Sequence, residues 1–575
     1  MKFAVHPLGP LLFLSMALMP VQSKAQDPNT NAADRALESQ QRTLEQRTID
    51  GELQRQLDLR DTQRMPAPAV LPASRSAGEE PQVAYAIERI VLDDDDAPSA
   101  GSLAVMRRYE GRSLTLNDVV DLVKELNDDY ASRGFVTTIV TLPGQNLASG
   151  ILHVQVVWGR ISGITLNGEP LSGVIDKVRV EAALPGWQGQ VLNIRQIDQL
   201  VENLSTTGKT ATVEVKPADA PGASILAVQI QKQRVLSGSS MMDNSGSERR
   251  DGTRKNTLQL SVSDLLPLND ELSFGYGRRL FRRVPDKENS YNVSYRVPYG
   301  AWTTSLSYAR VQTEQQFAAR FGQYRNTGSL DDWRLRVGRV LARNQVGRTQ
   351  VWAELGRKNN ANFFEGQLID VSSKPYSQLV LGMSHAFLAA GGAVYADLSW
   401  TRGVPWIQGE WKRPASDTAA QTRFQVLNSN LSWRRPDKLA GLSVVYNARA
   451  GLQYSNDRLL GKNKLYLGDE NSVRGFKDTP ISGDKGAYVS LGQDFPFVID
   501  RYFVRTVTVR AGLDSGWARG NGPDASWQRL TGSVLGLDVS AGAFQWSAMW
   551  GFPLYVKPSQ GQRDPVFYTS LSARF

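Results

Sequence analysis

Four consecutive residues, Val473-Arg474-Gly475-Phe476, could do chemistry of a mechanical kind. They lie in a long segment, about Ser455 to Lys485, between two alternating runs of apolar and polar residues. An arginine never loses its charge, and its planar fork can grip a carboxylate with two parallel hydrogen bonds. Gly475 beside it would let the backbone approach a wall or adopt a positive φ, and Phe476 would pack the loop tip. Downstream, Thr508, Arg510, Gly512 and Asp514 share one face of a strand, with Val507, Val509, Ala511 and Leu513 on the other. By the two-residue period Asp514 points to the polar side. An arginine next to a glycine, on a loop long enough to fold back into a barrel, is a candidate gate latch.

Other chemistries are poorly supplied. The 575 residues include no cysteine, which excludes disulfides, thiolate metal sites, cysteine nucleophiles and a lipidated N-terminus. The three histidines, His6, His153 and His385, are too few to suggest a metal centre or a Ser-His-Asp triad. No phosphate-binding Gly-x-x-x-x-Gly-Lys-Ser/Thr is present. Asp93 to Asp96 could hold a calcium ion but lacks spaced ligands and a turn glycine, so it reads as a solvated loop. The net charge of +9 is spread without a basic stripe, so nucleic acid is not a partner. The expectation is a non-enzymatic protein with no cofactor and no metal.

The elements that must position the latch begin with an export signal. Lys2, the apolar run Leu8–Met19 and Ser23-Lys24-Ala25 read as a signal peptide over residues 1–25. The run is too short to cross a bilayer of ~30 Å as a helix. Residues 26–62 are Gln-, Arg- and Glu-rich. Ala32, Ala33, Leu37, Leu44, Ile49, Leu53 and Leu57 form a thin apolar stripe at helical spacing. So polar a helix would not anchor in an apolar core; it would be solvated or would occupy a water-filled lumen. Residues 63–84 form a Pro-rich linker.

Residues 85–160 predict a compact β-α-α-β-β unit, its second helix opening at Thr115 and burying Val119, Val120, Leu122, Val123 and Leu126. Residues 161–234 repeat that order, an internal repeat with a period of ~75 residues. From 235 to 575 the chain is a series of alternating strands. Leu442, Val444, Tyr446, Ala448, Ala450, Leu452 and Tyr454 lie on one face; Phe544, Trp546, Ala548, Trp550 and Phe552 do the same further on. Aromatic residues near strand ends and Arg, Asp and Gln at mid-strand fit a membrane barrel with a wet lumen. About 340 residues, at ~10 per strand plus loops, allow about 16 antiparallel strands. Phe575 closes the last one. A barrel of that size encloses polar space and needs closing when idle; the polar helix and the long loop are the two candidates.

Two segments carry a family resemblance. Tyr130-Ala131-Ser132-Arg133-Gly134-Phe135, followed by Pro143 and Gln145, resembles the first POTRA domain of two-partner secretion transporters, the TpsB family of haemolysin and haemagglutinin secretion and activation proteins. Asn193 to Gln199 resembles the second, and Val473–Phe476 with Gly512-Leu513-Asp514 resembles the family's loop and strand motifs. Phe135 stands where the family often has Tyr. The resemblance spans the mature chain and implies a membrane β-barrel preceded by a plug helix and two α+β POTRA domains. It implies an outer-membrane location in a Gram-negative cell, with the POTRA domains in the periplasm. It implies that Arg474 faces Asp514 across the lumen, and that Phe575 is read by the barrel assembly machinery. The expected partners are one large secreted exoprotein, outer-membrane lipid and lipopolysaccharide, with the transporter itself a monomer. An assembly factor of the same superfamily, inserting other barrels, is the alternative; such relatives usually carry more than two POTRA domains.

Overall fold

The computed structural model describes residues 32–63, 83–93, 98–232, 234–245, 254–280, 287–319, 322–344, 347–370, 372–407, 422–477, 480–557 and 564–575. The signal peptide, residues 64–82 of the linker and Asp94–Asp96 lie outside them.

Sixteen long strands close into one antiparallel barrel, from Leu236–Asp243 to Val566–Arg574. A two-residue extension, Gln367–Leu368, folds back on Phe363 and Phe364 without adding a wall strand. Closure comes from pairing of the first and last strands, Ser239 opposite Arg574 through Asp243 opposite Ser570. A closed barrel leaves no unpaired edge, which is what lets strands cross lipid. Alternation sets the faces. Leu431, Leu452, Leu513, Leu535 and Trp550 are exposed on the outside. Their neighbours Ser432, Gln453, Asp514 and Val534 are buried by what fills the interior.

Before the barrel stand two α+β modules. In the first, helices α2 (Ala100–Tyr109) and α3 (Leu116–Ser132) cover a sheet in which Arg89–Asp93 pairs parallel with Ile151–Val157. Thr115 caps α3: its hydroxyl accepts from Asp118 N while the Asp118 carboxylate accepts from Thr115 N at 2.7 Å. Leu122 and Leu126 are fully buried in its core. Two expectations need correcting. Val120 is 52% exposed rather than buried, because it sits one position off the 3.6-residue stripe. The order is also not a plain β-α-α-β-β: Arg112–Leu114 forms a strand between the helices, paired with Tyr85–Ile87. Three residues are too few to show a period, and Gly111, at φ 74°, makes the turn into them.

The second module packs α4 (Val174–Ala183) and α5 (Ile194–Leu204) over a sheet of Arg160–Leu166, Lys209–Pro217 and Ala223–Lys232. It docks on the near rim of the barrel. Lys209 Nζ meets Asp264 at 2.8 Å, both nearly buried. Asn203 donates to the carbonyls of Ala183 at 2.9 Å and Gly300 at 2.8 Å, and Gly300 N donates to Ala182 O at 2.8 Å.

Helix α1 (Ala32–Gln63) lies inside the barrel. At 1.5 Å per residue its 32 residues span about 48 Å, more than the ~30 Å hydrocarbon layer. Its sparse apolar stripe is used. Leu37 packs on Val311 and Leu330, and Ile49, Leu53 and Leu57 pack near Ala393. Leu44, expected in that stripe, is 46% exposed. Polar pairs do the rest: Gln41 donates to Asp332 at 3.2 Å, and Glu52 takes Arg348 Nη1 at 2.8 Å. A helix with so little apolar surface is at home where water and wall charges can meet its side chains.

Candidate functional site

The long loop leaves one strand at Tyr454 and rejoins the next at Lys485. It folds back into the lumen. A small hairpin, Leu465–Leu467 with Ile481–Gly483, gives it a stem. Leu465, Leu467, Val473, Phe476 and Ile481 then pack with the wall residues Ala518 and Leu530. Phe476 is fully buried in that cluster rather than at an open tip, so the loop tip is pinned by apolar burial of ~1.5–3 kcal/mol for this side chain.

Arg474 reaches the wall strand Val504–Arg519. Its Nε is 2.7 Å from Asp514 Oδ2 and its Nη2 is 2.7 Å from Oδ1, a bidentate pair. The backbone N of Arg474 donates to the same Oδ2 at 2.8 Å. Ser490, on the adjacent strand, donates to Asp514 Oδ1 at 2.7 Å and accepts from Arg474 Nη2 at 3.1 Å. Asp514 is fully shielded and Arg474 is 12% exposed, so both charges are held by each other and by hydrogen bonds, as shielded ions require. The chain's Gly512 has a steric reason. A Cβ there would stand 2.5 Å from Arg474 Nη2.

Three more wall glycines complete the seat. A Cβ at Gly532 would fall 2.0 Å from the carbonyl oxygen of Arg474, at Gly551 2.7 Å from Gly475 Cα, and at Gly516 2.7 Å from Val473. Gly475 itself sits at φ 108°, close to the backbone of Phe552. Tyr568, on the last strand, finishes the contact: its hydroxyl accepts from Gly475 N at 3.2 Å and donates to Phe476 O at 2.7 Å. Sequence reasoning missed Ser490, Gly516, Gly532, Gly551 and Tyr568. The period-2 pattern places Tyr568 on the polar face of its strand, but nothing in it names the loop as the partner.

The other sequence-selected residues meet elsewhere. Tyr130 is buried, with Phe135 and Trp158 edge-on to it at 6.4 and 5.5 Å, and the Arg133 guanidinium lies 4.3 Å over its ring. Gln145 bridges the strand Ile151–Val157, donating to His153 O and accepting from His153 N, both at 2.7 Å. Pro143 accepts from Gln145 Nε2 at 3.4 Å. Gly134, at φ 99°, accepts from Ile194 N, and Asn193 Nδ2 donates to Arg133 O at 3.2 Å. The 130–135 and 193–199 segments therefore form the joint between the two modules. Phe575 pairs with Gly238 through both backbone groups at 2.9 Å and closes the barrel seam.

A closed barrel fronted by two such modules, with a loop and a helix in its lumen, defines a membrane transporter of the POTRA–barrel class. The family profile described as "Haemolysin secretion/activation protein ShlB/FhaC/HecB" matches residues 222–539, more than half of the chain. A ShlB-type POTRA profile matches 85–159 and a second POTRA profile 160–217. The chain belongs to the ShlB/FhaC/HecB family: it is an outer-membrane transporter of two-partner secretion, with its POTRA domains in the periplasm. It is 29% identical over 516 residues to the outer membrane transporter CdiB of Escherichia coli, covering 89% of this chain and 85% of that one. It is 25% identical over 527 residues to the hemolysin transporter protein ShlB of Serratia marcescens, covering 91% and 90%. Among solved structures, CdiB from Escherichia coli superposes with a TM-score of 0.85 at 28% identity, covering 96% of this chain and all of that one. CdiB from Acinetobacter baumannii, at 22% identity, shares the fold with a TM-score of 0.76, covering 96% of this chain and all of that one.

Proposed function

We propose that this transporter binds one large exoprotein in the periplasm and threads it unfolded through the barrel. Adhesins, haemolysins and contact-dependent toxins are the candidate cargo classes. In this reading residues 85–160 and 161–234 are the POTRA domains that receive it. An extended chain can add to a sheet edge by main-chain hydrogen bonds whatever its side chains, which suits an unfolded cargo. Helix α1 is the plug, and the loop carrying Val473–Phe476 is the latch, with Arg474, Gly512 and Asp514 as its fastening. Phe575 ends the strand read by the assembly machinery. The working unit is a monomer in lipid and lipopolysaccharide.

The observation that carries this reading is the loop folded into the lumen on the Arg474–Asp514 pair. Such a loop blocks the barrel where it sits and can be unfastened by exchanging one set of polar contacts for another. Directionality needs no nucleotide if the cargo folds on emerging.

The test is a photo-crosslinking probe at Asn430, which faces the lumen, compared with Leu431, which faces lipid. In cells with export stalled, the cargo should crosslink from 430 and not from 431. Equal labelling at both sites, or none at 430, would contradict passage through the lumen.

A further inference from the structure

We propose that Glu202, on the surface of α5 in the second POTRA module, is the positioning residue that holds helix α1 in the barrel, so that displacement of this module sets the helix free. The proposal rests on reading α1 as the plug and adds what controls it.

Three parts of the molecule meet at this one carboxylate. Arg55 Nη1 of α1 is 2.9 Å from Glu202 Oε2. Arg348 Nη2, on the barrel wall, is 2.9 Å from Oε1. Arg343, at the rim, also donates to Glu202, and its Nη2 is 2.9 Å from Gln199 Oε1, one helical turn away. Arg348 turns its other nitrogen, Nη1, to Glu52 of α1 at 2.8 Å. Glu52, Arg348, Glu202 and Arg55 therefore make a closed ring of alternating charge that leaves α1 and returns to it three residues on. The groups are well shielded, with side-chain exposures of 21% for Glu52, 11% for Arg348, 16% for Glu202 and 30% for Arg55.

The geometry makes Glu202 the keystone. Without its charge, the guanidinia of Arg55, Arg343 and Arg348 lose the one carboxylate that all three contact, with only Glu52 on Arg348 and the nearby Asp198 left to offset them, and like charges in a shielded site repel. Burial alone would raise the Glu202 pKa, but Arg348, Arg55 and Arg343 draw it down to about 2. It stays ionised across the physiological range, so release by this route is mechanical. Glu202 also moves with its module: Leu200 and Leu204 are fully buried in the module core, and Asn203 binds Ala183 O and Gly300 O. A shift of that module breaks the helix contact and the wall contacts in one motion. Elsewhere on α1, Asp50 lies 3.7 Å from Arg434 and 3.8 Å from Arg449, and Arg42 3.6 Å from Asp469.

The test uses the full-length protein in planar bilayers, with the conducting fraction as readout. The variants are Glu202→Gln, Glu202→Asp, Arg55→Gln and a deletion of residues 32–63. Glu202→Gln should raise the conducting fraction by roughly tenfold or more, toward the deletion. Arg55→Gln cuts the same contact without touching the POTRA module and should do the same. Glu202→Asp, which keeps the charge, should remain closer to wild type. If the deletion conducts while Glu202→Gln and Arg55→Gln stay as closed as wild type, Glu202 does not hold the helix and the plug reading survives. If the deletion itself does not conduct, the plug reading falls and the proposal with it. The coupling is read separately. Thr207 Oγ1 lies 2.9 Å from Glu271 across the module–barrel junction, and the chain has no cysteine, so a reducible bifunctional thiol reagent joining Thr207→Cys to Glu271→Cys, spanning the length that the shorter side chain at 271 gives up, fastens the module to the rim. Export should stop when the crosslink is closed and resume on reduction. Export that continues under the closed crosslink would overturn release by module movement.

Discussion

Asp514→Ala should unseat the loop, and the size of the effect can be worked from the contacts. Asp514 accepts three hydrogen bonds from Arg474 and one from Ser490, at full shielding. Breaking a buried ion pair by removing one partner costs ~3–5 kcal/mol, because the other charge is stranded. Arg474 is 12% exposed beside a wet lumen and recovers part of this from water. Each single alanine variant, at 474 or at 514, should therefore cost ~2–3 kcal/mol of loop seating. The double variant strands no charge and should cost no more than either single, ~2 kcal/mol, leaving a coupling of ~3 kcal/mol, or about 150-fold. The assay uses the cysteine-free background. Val473→Cys places one thiol at a fully buried position in the seat, and its maleimide labelling rate reports the unseated fraction. Labelling should rise by roughly thirtyfold or more in either single variant, with the double well short of their product. A labelling rate unchanged by Asp514→Ala, or strictly multiplicative effects, would refute the pairing as the force that seats the loop.

Three further outcomes follow from the same contacts. Gly532→Ala should unseat the loop with Arg474 and Asp514 both intact, because its Cβ would fall 2.0 Å from Arg474 O; the cost of ~1–3 kcal/mol should appear as faster labelling of the same thiol. Tyr568→Phe removes one hydroxyl that serves both Gly475 N and Phe476 O and should cost ~1–3 kcal/mol by that labelling readout. The contribution of Glu202 to the module–helix junction should depend on pH in one direction. Its pKa in the folded protein, about 2, lies below the ordinary 4.5, so its stabilisation is fully present above pH 4.5 and is lost as pH falls toward 2. Conductance attributable to loss of this contact should be flat from pH 8 to 5 and rise only below about 4.5.

The barrel was legible because period-2 alternation writes the two faces of each strand directly, as at Leu442–Tyr454 and Phe544–Phe552. The same period placed Asp514 on the inner face; its pairing with Arg474 came from family resemblance, since no pattern of one chain states which loop returns to which strand. That limit explains the misses. Gly516, Gly532 and Gly551 are common strand residues until the register sets them against Val473, Arg474 and Gly475. Tyr568 lies 92 residues from its acceptor Phe476 O. Glu202 reads as an ordinary surface charge on an amphipathic helix, and only the docking of that helix on Arg343, Arg348 and Arg55 gives it a role. The polar faces of α1 fit solvent and lumen equally well; the wall charges that complement them are spread over distant strands. The short strand Arg112–Leu114 was hidden because three residues carry no period.

What the protein exports is the most direct evidence of what it does. The secreted proteins and outer-membrane proteome of cells lacking this transporter should be compared with those of cells carrying it. The prediction is loss of a single large exoprotein from surface and medium, with other barrels at unchanged levels. A broad fall in many outer-membrane barrels, with no single exoprotein lost, would mark an assembly factor and contradict it.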